Sequence, residues 1–298
     1  MDASRDPERI VKPPMSFGKR KWPKINKKFV FILFFMHFFC IFAPFQVNLG
    51  AISICFALYH ITGLFGLTIS YHRNLTHKSF ILPKWLEYLF AYCGVHSFQG
   101  DPIYWVSTHR YHHQYVDTPK DPHSPIKGFW YSHLTWYLHK RDRSINEMIP
   151  KRRKWENATD LEKQTFYRFL HKTYIYHPIA LAVILYSIGG APFLIWGMCV
   201  RIVVGLHATF LVNSVCHMWG KKPWKTNDLS RNNWWISLLV FGEGWHNNHH
   251  AFEYSARLGI EWWEYDPGWY VIRFLEAIGV ATHVKLPSQT HMQKLAKH

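Results

Sequence analysis

Hydrophobic positions in this chain are gathered into blocks. From Phe29 to Ser70 there is no Lys, Arg, Asp or Glu. Two nearly continuous apolar runs fill that interval, FVFILFFMHFFCIFAPFQV (29–47) and LGAISICFALYHITGLFGLTI (49–69). Each has about 20 residues, the length of helix that crosses a ~30 Å hydrocarbon core. Pro44, Asn48 and Gly50 suit a tight turn between them, so the pair reads as a transmembrane hairpin. The competing reading is a pair of buried helices in a soluble protein, but two adjacent uncharged runs exceed the usual length of such helices. A second uncharged interval runs from Thr173 to Val200 and, past Arg201, extends to Lys221. GGAP at 189–192 divides it into expected spans at 173–188 and 193–216. Arg201 within a span is costly unless it lies near an end and snorkels.

Charge sets the orientation. Residues 1–28 carry 9 Lys+Arg, residues 70–172 carry 16 and residues 217–298 carry 9, while the turns at 44–50 and 189–192 carry none. The positive-inside rule places both termini and the long middle segment in the cytosol, and the parity of four spans agrees. The expected architecture is therefore an all-α membrane protein with four transmembrane helices in two hairpins. A basic segment (1–28) precedes the membrane domain (29–285), whose helical cytosolic cap is formed by 70–172 and 217–285. A polar tail (286–298) follows. The stretches 85–98 and 234–245 are apolar but too short to span, which suits the membrane interface or packing beneath the cap.

Over the 298 residues, 48% are hydrophobic, 18% aromatic and 18% charged, which excludes a disordered chain. The mean hydropathy of -0.16 averages over very uneven segments. The net charge of +16 suits anionic lipid headgroups and acidic soluble partners, and no nucleic-acid-binding module accompanies it. Five scattered cysteines without a CxxC argue against a disulfide framework or a thiolate zinc site. The N-terminus holds Asp2, Asp6 and Glu8 and no apolar core before Phe29, a poor signal or transit peptide.

The unusual count is 21 histidines. Eight form three clusters: His72 and His77 in HRNLTH, His109, His112 and His113 in HRYHH, and His246, His249 and His250 in HNNHH. On a helix, positions i, i+3 and i+4 share a face, so His109 can align with His112 or His113, and His246 with His249 or His250. Adjacent histidines point about 100° apart, so a doublet can serve two neighbouring metals. Eight imidazoles exceed the needs of one ion and suit two; imidazole serves Zn, Cu, Fe and Ni. Only one Glu-x-x-His occurs, Glu243 to His246, which disfavours a carboxylate-bridged bundle site. His217 ends the fourth expected span with Asn213 one turn earlier, making it a candidate ninth ligand. His37, His60, His177 and His207 lie in apolar spans, as functional groups or as neutral imidazoles bonded to a neighbouring helix. Among the rest, His123 is notable for following Asp121-Pro122.

These residues resemble a known family. The boxes HxxxxH, HxxHH and HxxHH, with paired spans between the second and third, look like the integral-membrane fatty acyl desaturases. YHRNLTHKSF (71–80), WVSTHRYHHQYVDTPKDPHSP (105–125), GFWYSHLTW (128–136), NSVCHMWG (213–220) and GEGWHNNHHAF (242–252) resemble the Δ9 (stearoyl-type) group, nearest its plant branch. The likeness covers about 30–285. It implies two iron ions held by His72, His77, His109, His112, His113, His217, His246, His249 and His250, with Asn213 reaching one iron through a water. Asp121 and Glu243 are candidates to orient ligating imidazoles.

The resemblance also implies a reaction. O2 and two electrons convert a saturated acyl chain, carried on CoA or on a lipid, into a cis-unsaturated one, with Δ9 expected. No HPGG motif of a fused cytochrome b5 domain occurs, so a separate electron donor is implied: cytochrome b5 with its reductase, or a ferredoxin. The +7 of residues 70–172 suits an acidic donor. The expected location is the endoplasmic reticulum membrane, with a plastid membrane as the alternative. Where animal relatives carry an Arg-Asp pair that grips CoA, this chain has Ser107 and Thr108, so Lys78, Lys84, Lys127 or the RRK at 152–154 are candidates for gripping phosphate. Two other readings compete. A membrane di-iron hydroxylase or alkane oxygenase shares the boxes but not the WVSTHRxHHQ and NSxxH contexts. A metal transporter would place its liganding histidines inside the spans.

Overall fold

The computed structural model describes residues 25–139 and 155–296. The expected basic segment 1–28 therefore lies almost wholly outside the described residues, as does RRK 152–154. Among the described residues there is no β-strand, only isolated bridges.

Helix α1 spans Lys27–Cys40 and starts at Asn26, whose side chain accepts from the Phe29 amide. A 3-10 turn, Ala43–Gln46, follows. Asn48, accepting from the Ala51 amide at 2.8 Å, caps α2 (Leu49–His60). This helix continues without a break into a π-helical segment, Ile61–Thr76. Two apolar helical runs are long enough to cross a bilayer: Leu49–Thr76, of 28 residues, and Tyr176–His217, of 42. The 14-residue α1 falls short of that length, although Phe31, Phe34, Phe38 and Phe45 leave a large apolar surface exposed beside the first run.

The 42-residue run comprises α7 (Tyr176–Leu194), a π-helical turn (Ile195–Val200), α8 (Arg201–Ser214) and a 3-10 turn (Val215–His217). At Gly190, φ is 62° and ψ is -152°, a conformation open to glycine and costly for other residues. The chain reverses there. A side chain added at Gly197 would meet Leu185 at 2.9 Å, although the 12 residues between them would span ~18 Å of straight helix. Leu185 shares a buried cluster with Leu33, Met198, Ile202, Leu206 and Phe210, which ties α1, α7 and α8 together.

Arg201 departs from the sequence expectation. It does not snorkel but is 2% exposed. Its guanidinium donates to the carbonyls of Gly197 and His96. His96 closes α3 (Lys84–Val95), and a helix C-terminus carries partial negative charge, which compensates the buried cation. The 85–98 stretch supplies α3, with Leu86 and Phe90 in the core and Trp85, Leu89 and Tyr92 exposed. The 234–245 stretch supplies α9 (Trp234–Leu239), which buries Ile236 and exposes Trp234 and Leu238.

Close packing of α3 on the π-helical segment sets the first box in place. A Cβ at Gly66 would lie 2.4 Å from the Gly94 backbone nitrogen, so the two backbones touch where neither residue carries a side chain. The cap adds α4 (Pro102–Tyr115), α5 (Phe129–His133), α6 (Thr165–Thr173), α10 (His246–Ala251), α11 (Pro267–Ala277) and α12 (Gln289–Leu295).

Candidate metal centre

The first box lies where α2 has become π-helical. The His77 amide donates to the His72 carbonyl at 3.2 Å, an i→i+5 bond that puts side chains five apart on one face. In an α-helix they would diverge by roughly 140°. The two ring centroids are 4.8 Å apart. π-Helical turns are rare and recur at functional sites. The second box is on α4, fixed by Pro102 at its first position and by the Asp101 cap, which accepts from the Ile103 and Tyr104 amides at 3.1 Å each. The third is on the short helix α10, and His217 ends the 3-10 turn that follows α8.

These elements converge in two groups. His72, His77, His109, His113 and His249 form one; His112, His217, His246 and His250 form the other. Within each group the ligand nitrogens all lie within 4.8 Å of one another. His109 therefore aligns with His113 and His246 with His250, one turn apart. His112 and His249 point to the opposite group from their box partners. All nine histidines singled out from the sequence are in these groups. His123 stands beside the second group, its ring 4.3 Å from that of His112.

The nitrogens that meet are Nε2 atoms. His249 Nε2 is 3.1 Å from His72 Nε2 and 2.9 Å from His113 Nε2, and His113 Nε2 is 3.2 Å from His109 Nε2. In the second group His246 Nε2 is 2.9 Å from His217 Nε2 and 3.1 Å from His250 Nε2. His77 Nε2 and His112 Nε2 are buried without any hydrogen-bond partner. Bare ring nitrogens that face one another repel, and orphaned buried nitrogens are costly. A cation at each centre would satisfy all of these lone pairs, so the residues fit a pair of metal ions.

Carboxylates stand beside the outward nitrogens of five of the nine rings. His112 Nδ1 is hydrogen-bonded to Asp121 Oδ2 at 3.1 Å and His250 Nδ1 to Asp228 Oδ2 at 3.0 Å. Closer or looser ionic contacts join His72 Nδ1 to Glu243 (2.6 Å), His217 Nδ1 to Asp117 (3.0 Å) and His113 Nδ1 to Glu253 (3.5 Å). A carboxylate there keeps the proton on Nδ1 and frees Nε2 for a metal. Behind Glu243, the buried Arg73 makes a bidentate pair with Asp266 at 2.8 and 3.0 Å and reaches Glu243 at 3.3 Å.

Electrostatics agree with the geometry. Burial, reinforced by the surrounding imidazoles, holds His77, His109, His112, His246 and His249 well below the usual histidine pKa. They are neutral at pH 7, the form that ligates metal. Burial also lowers His217, but Asp117 outweighs it and the net shift is upward. Burial pushes the Asp121 carboxyl up to about 7.

A cavity of about 90 Å³ opens beneath the groups, running from His72, His109, His112 and His246 to Tyr59, Thr62 and Arg201. Asn213 and Arg201, both on its wall, are 12 residues apart, ~18 Å along the helix. A smaller lobe of about 40 Å³ lies towards Tyr104, Thr108 and Trp136. Gln99, Trp105, His109, Thr209 and Asn213 line both lobes. Gln99 Nε2 donates to Thr209 Oγ1 at 2.8 Å and Trp105 Nε1 to Gln99 Oε1 at 3.4 Å.

Sequence reasoning missed Asp117, Asp228, Glu253, Arg73, Gln99 and Thr209. Asp117 lies within the second-box motif, four residues after His113, and that spacing is a usable signal. Asp228 and Gln99 meet their partners only through the fold. Of the histidines in spans, His37 and His207 bond to each other across α1 and α8 at 3.1 Å, and His207 bonds onward to His133 at 3.0 Å. His60 and His177 bond near their own helices, to the Phe56 carbonyl and to Thr173.

Among the described residues, helices only, two of them apolar and of membrane-spanning length, carry two histidine groups that could each hold a metal ion above an apolar cavity, an arrangement that suits a membrane-integral protein. The family model for fatty acid desaturases matches residues 49–284, and the chain belongs to that family of oxidoreductases. It is 56% identical over 285 residues to the chloroplastic palmitoyl-monogalactosyldiacylglycerol delta-7 desaturase of Arabidopsis thaliana, covering 96% of this chain and 76% of that one. It is 54% identical over 277 residues to the acyl-CoA C20 Delta5-desaturase of Anemone leveillei, covering 93% and 87%. It is 51% identical over 278 residues to delta-9 acyl-lipid desaturase 1 of Arabidopsis thaliana, covering 93% and 89%. These relatives share desaturation and differ in double-bond position and in the carrier of the acyl chain.

Proposed function

We propose that this chain introduces a cis double bond, at Δ9, into a saturated fatty acyl chain, using O2 and two iron ions, one in each histidine group. The observation that carries the reading is the division of nine buried or half-buried imidazoles into sets of five and four, within a desaturase family, directly above an apolar cavity. Bound there, iron supplies the oxidising power to take hydrogen from an unactivated methylene, which no acid or base can do because an alkyl C–H has no useful acidity. Each turnover consumes one O2, two electrons and two protons and yields the alkene and two waters.

The ligands in this reading are His72, His77, His109, His113 and His249 for one ion, and His112, His217, His246 and His250 for the other. Asn213, on the cavity wall, completes the second set through a water. Asp121, Glu243, Asp117, Asp228 and Glu253 hold Nδ1 protons and so aim Nε2 inward. The hydrogen-bonded trio of Gln99, Thr209 and Trp105 stands between the two lobes, so an acyl chain threading both bends around it with a fixed pair of carbons facing the metals. Fixing that geometry is the protein's main contribution to rate and position.

In the bilayer, the hairpins 29–69 and 173–216 form four spans, with the histidine groups and both termini on the cytosolic side. The break at Gly190 and the exposed apolar faces of α1 and α7 support this arrangement. Ser107 Oγ donates to Asn157 Oδ1 at 2.6 Å and Thr108 Oγ1 to the Tyr104 carbonyl at 2.8 Å. Both hydroxyls are engaged within the protein, which favours a lipid-bound acyl chain over CoA gripped at these positions. Electrons come from a separate carrier, cytochrome b5 with its reductase. The location is the endoplasmic reticulum membrane; a plastid membrane is the second reading, favoured by the chloroplastic relative.

The test is the fatty-acid profile, with double-bond positions, of yeast lacking its own Δ9 desaturase and expressing the chain or its His113→Ala variant. Δ9 monoenes that vanish in the variant are the expected result. A Δ7 or Δ5 product would overturn the position, and a hydroxylated product the reaction.

A further inference from the structure

We infer that the loop between His217 and α9, residues 218–233, is the docking face for an acidic one-electron carrier protein and conducts its electrons to the second histidine group. This rests on the desaturase reading, which requires two electrons from outside the chain.

The inner side of the loop is bonded to the metal-site histidines and their neighbours. Asp228 Oδ2 accepts from His250 Nδ1 at 3.0 Å, while Oδ1 accepts from the Ser230 amide at 3.0 Å and from the Thr226 hydroxyl at 2.7 Å. The Leu229 amide donates to Asp117 at 2.6 Å, and Asp117 in turn contacts His217. Trp224 Nε1 donates to Asn248 Oδ1 at 2.8 Å, beside His249. From the loop backbone at Asp228 the way inward is one side chain and one hydrogen bond to a ligand ring.

The outer side is basic. Within 218–233 the charged residues are Lys221, Lys222, Lys225, Arg231 and Asp228. The single acid faces inward to His250, and Lys222 is turned back onto the carbonyls of Thr226 and Asp228. Lys221 and Lys225 are exposed. The Lys225 amide donates to the Leu295 carbonyl at 2.7 Å, which brings Lys294 of α12 to the same rim. A cationic rim over a buried redox site attracts an acidic partner and raises its encounter rate. A contact with anionic lipid headgroups would use the same charges but would have no need of the bonded route to His250, so the carrier is the favoured occupant. Two encounters, each passing one electron inward and leaving an oxidised carrier, meet the need of one O2.

The test measures binding, not turnover. The full chain in phosphatidylcholine nanodiscs is titrated with the soluble haem domain of cytochrome b5, an acidic one-electron carrier, at about 10 mM salt. Lys221→Glu/Lys225→Glu is expected to raise Kd about tenfold, with wild-type iron content and melting temperature. The difference should vanish at 1 M salt, where the screening length is ~3 Å. A haem domain with its acidic face changed to lysine should restore binding to the variant. A Kd within twofold of wild type at low salt overturns the proposal. So does a variant that loses affinity for vesicles containing phosphatidylserine while keeping its Kd for the haem domain, since the rim would then be a lipid contact. Because no product is read, failure here is separable from failure of the desaturase reading.

Discussion

Asp228→Asn tests whether carboxylates on the outward nitrogens control metal binding. The side chain of Asp228 is 7% exposed. Burial alone would raise its pKa, but the His250 ring and the Ser230 and Thr226 hydrogen bonds hold it far below the usual carboxylate range. Asparagine keeps the shape and leaves an oxygen for Ser230 and Thr226. Its amide N–H then faces His250 Nδ1, which must give up its proton to accept. The proton moves to Nε2 and removes the lone pair aimed at the metal. Loss of such an orienting partner costs 10–100-fold in metal affinity, about 1.4–2.8 kcal/mol at 1.4 kcal/mol per tenfold. The assay is a competitive chelator titration of purified protein, with both ions counted. The tighter step, assigned to the five-histidine group, should stay at its wild-type midpoint while the other weakens. Both affinities remaining within twofold of wild type would refute the reasoning.

Three further predictions follow from the same geometry. In the metal-free chain, the buried imidazoles have folded pKa values below the unfolded value near 6.5. The unfolded state binds more protons, so stability falls as pH drops through 6.5, by up to about 1.4 kcal/mol per pH unit for each group. A melting temperature flat from pH 7.5 to 5 would contradict this. Gly66→Ala drives a methyl into the Gly94 backbone, which cannot swing aside, and should destabilise by more than about 3 kcal/mol, beyond the usual range for overpacking. Wild-type melting with full metal content in that variant would refute the contact. Thr209→Val leaves Gln99 Nε2 without its acceptor, a local cost of about 1–3 kcal/mol, and should scatter the double-bond position; an unchanged positional profile by mass spectrometry would show that the trio does not set the bend.

The legible part of this protein is the part written in short-range pattern. Charge-free runs mark the apolar helices, and Gly189–Gly190 marks the reversal. The 100° step between neighbours explains how His112 and His113, or His249 and His250, serve different groups. In an α-helix the two histidines of HxxxxH do not share a face, because positions five apart diverge; the box makes sense once the segment is π-helical, and nothing in local composition announces that winding. Arg201 was expected to snorkel because its partner at the end of α3, the His96 carbonyl, becomes a neighbour only in the folded chain. Asp228 and Glu253 were invisible for the same reason: Asp228 is 22 residues from His250 in sequence, and Glu253 reaches His113 from another element. Short-range spacing shows which side chains point together, while the groups that hold them there come from tertiary contacts.

The central claim is that each histidine group holds one iron. Counting iron per chain by mass spectrometry of purified, saturated protein tests it most directly, with His77→Ala and His246→Ala as single-group variants. The account predicts two ions in the wild type and about one in each variant, lost from different groups. One ion or none in the saturated wild type, or variants that still hold two, would contradict it.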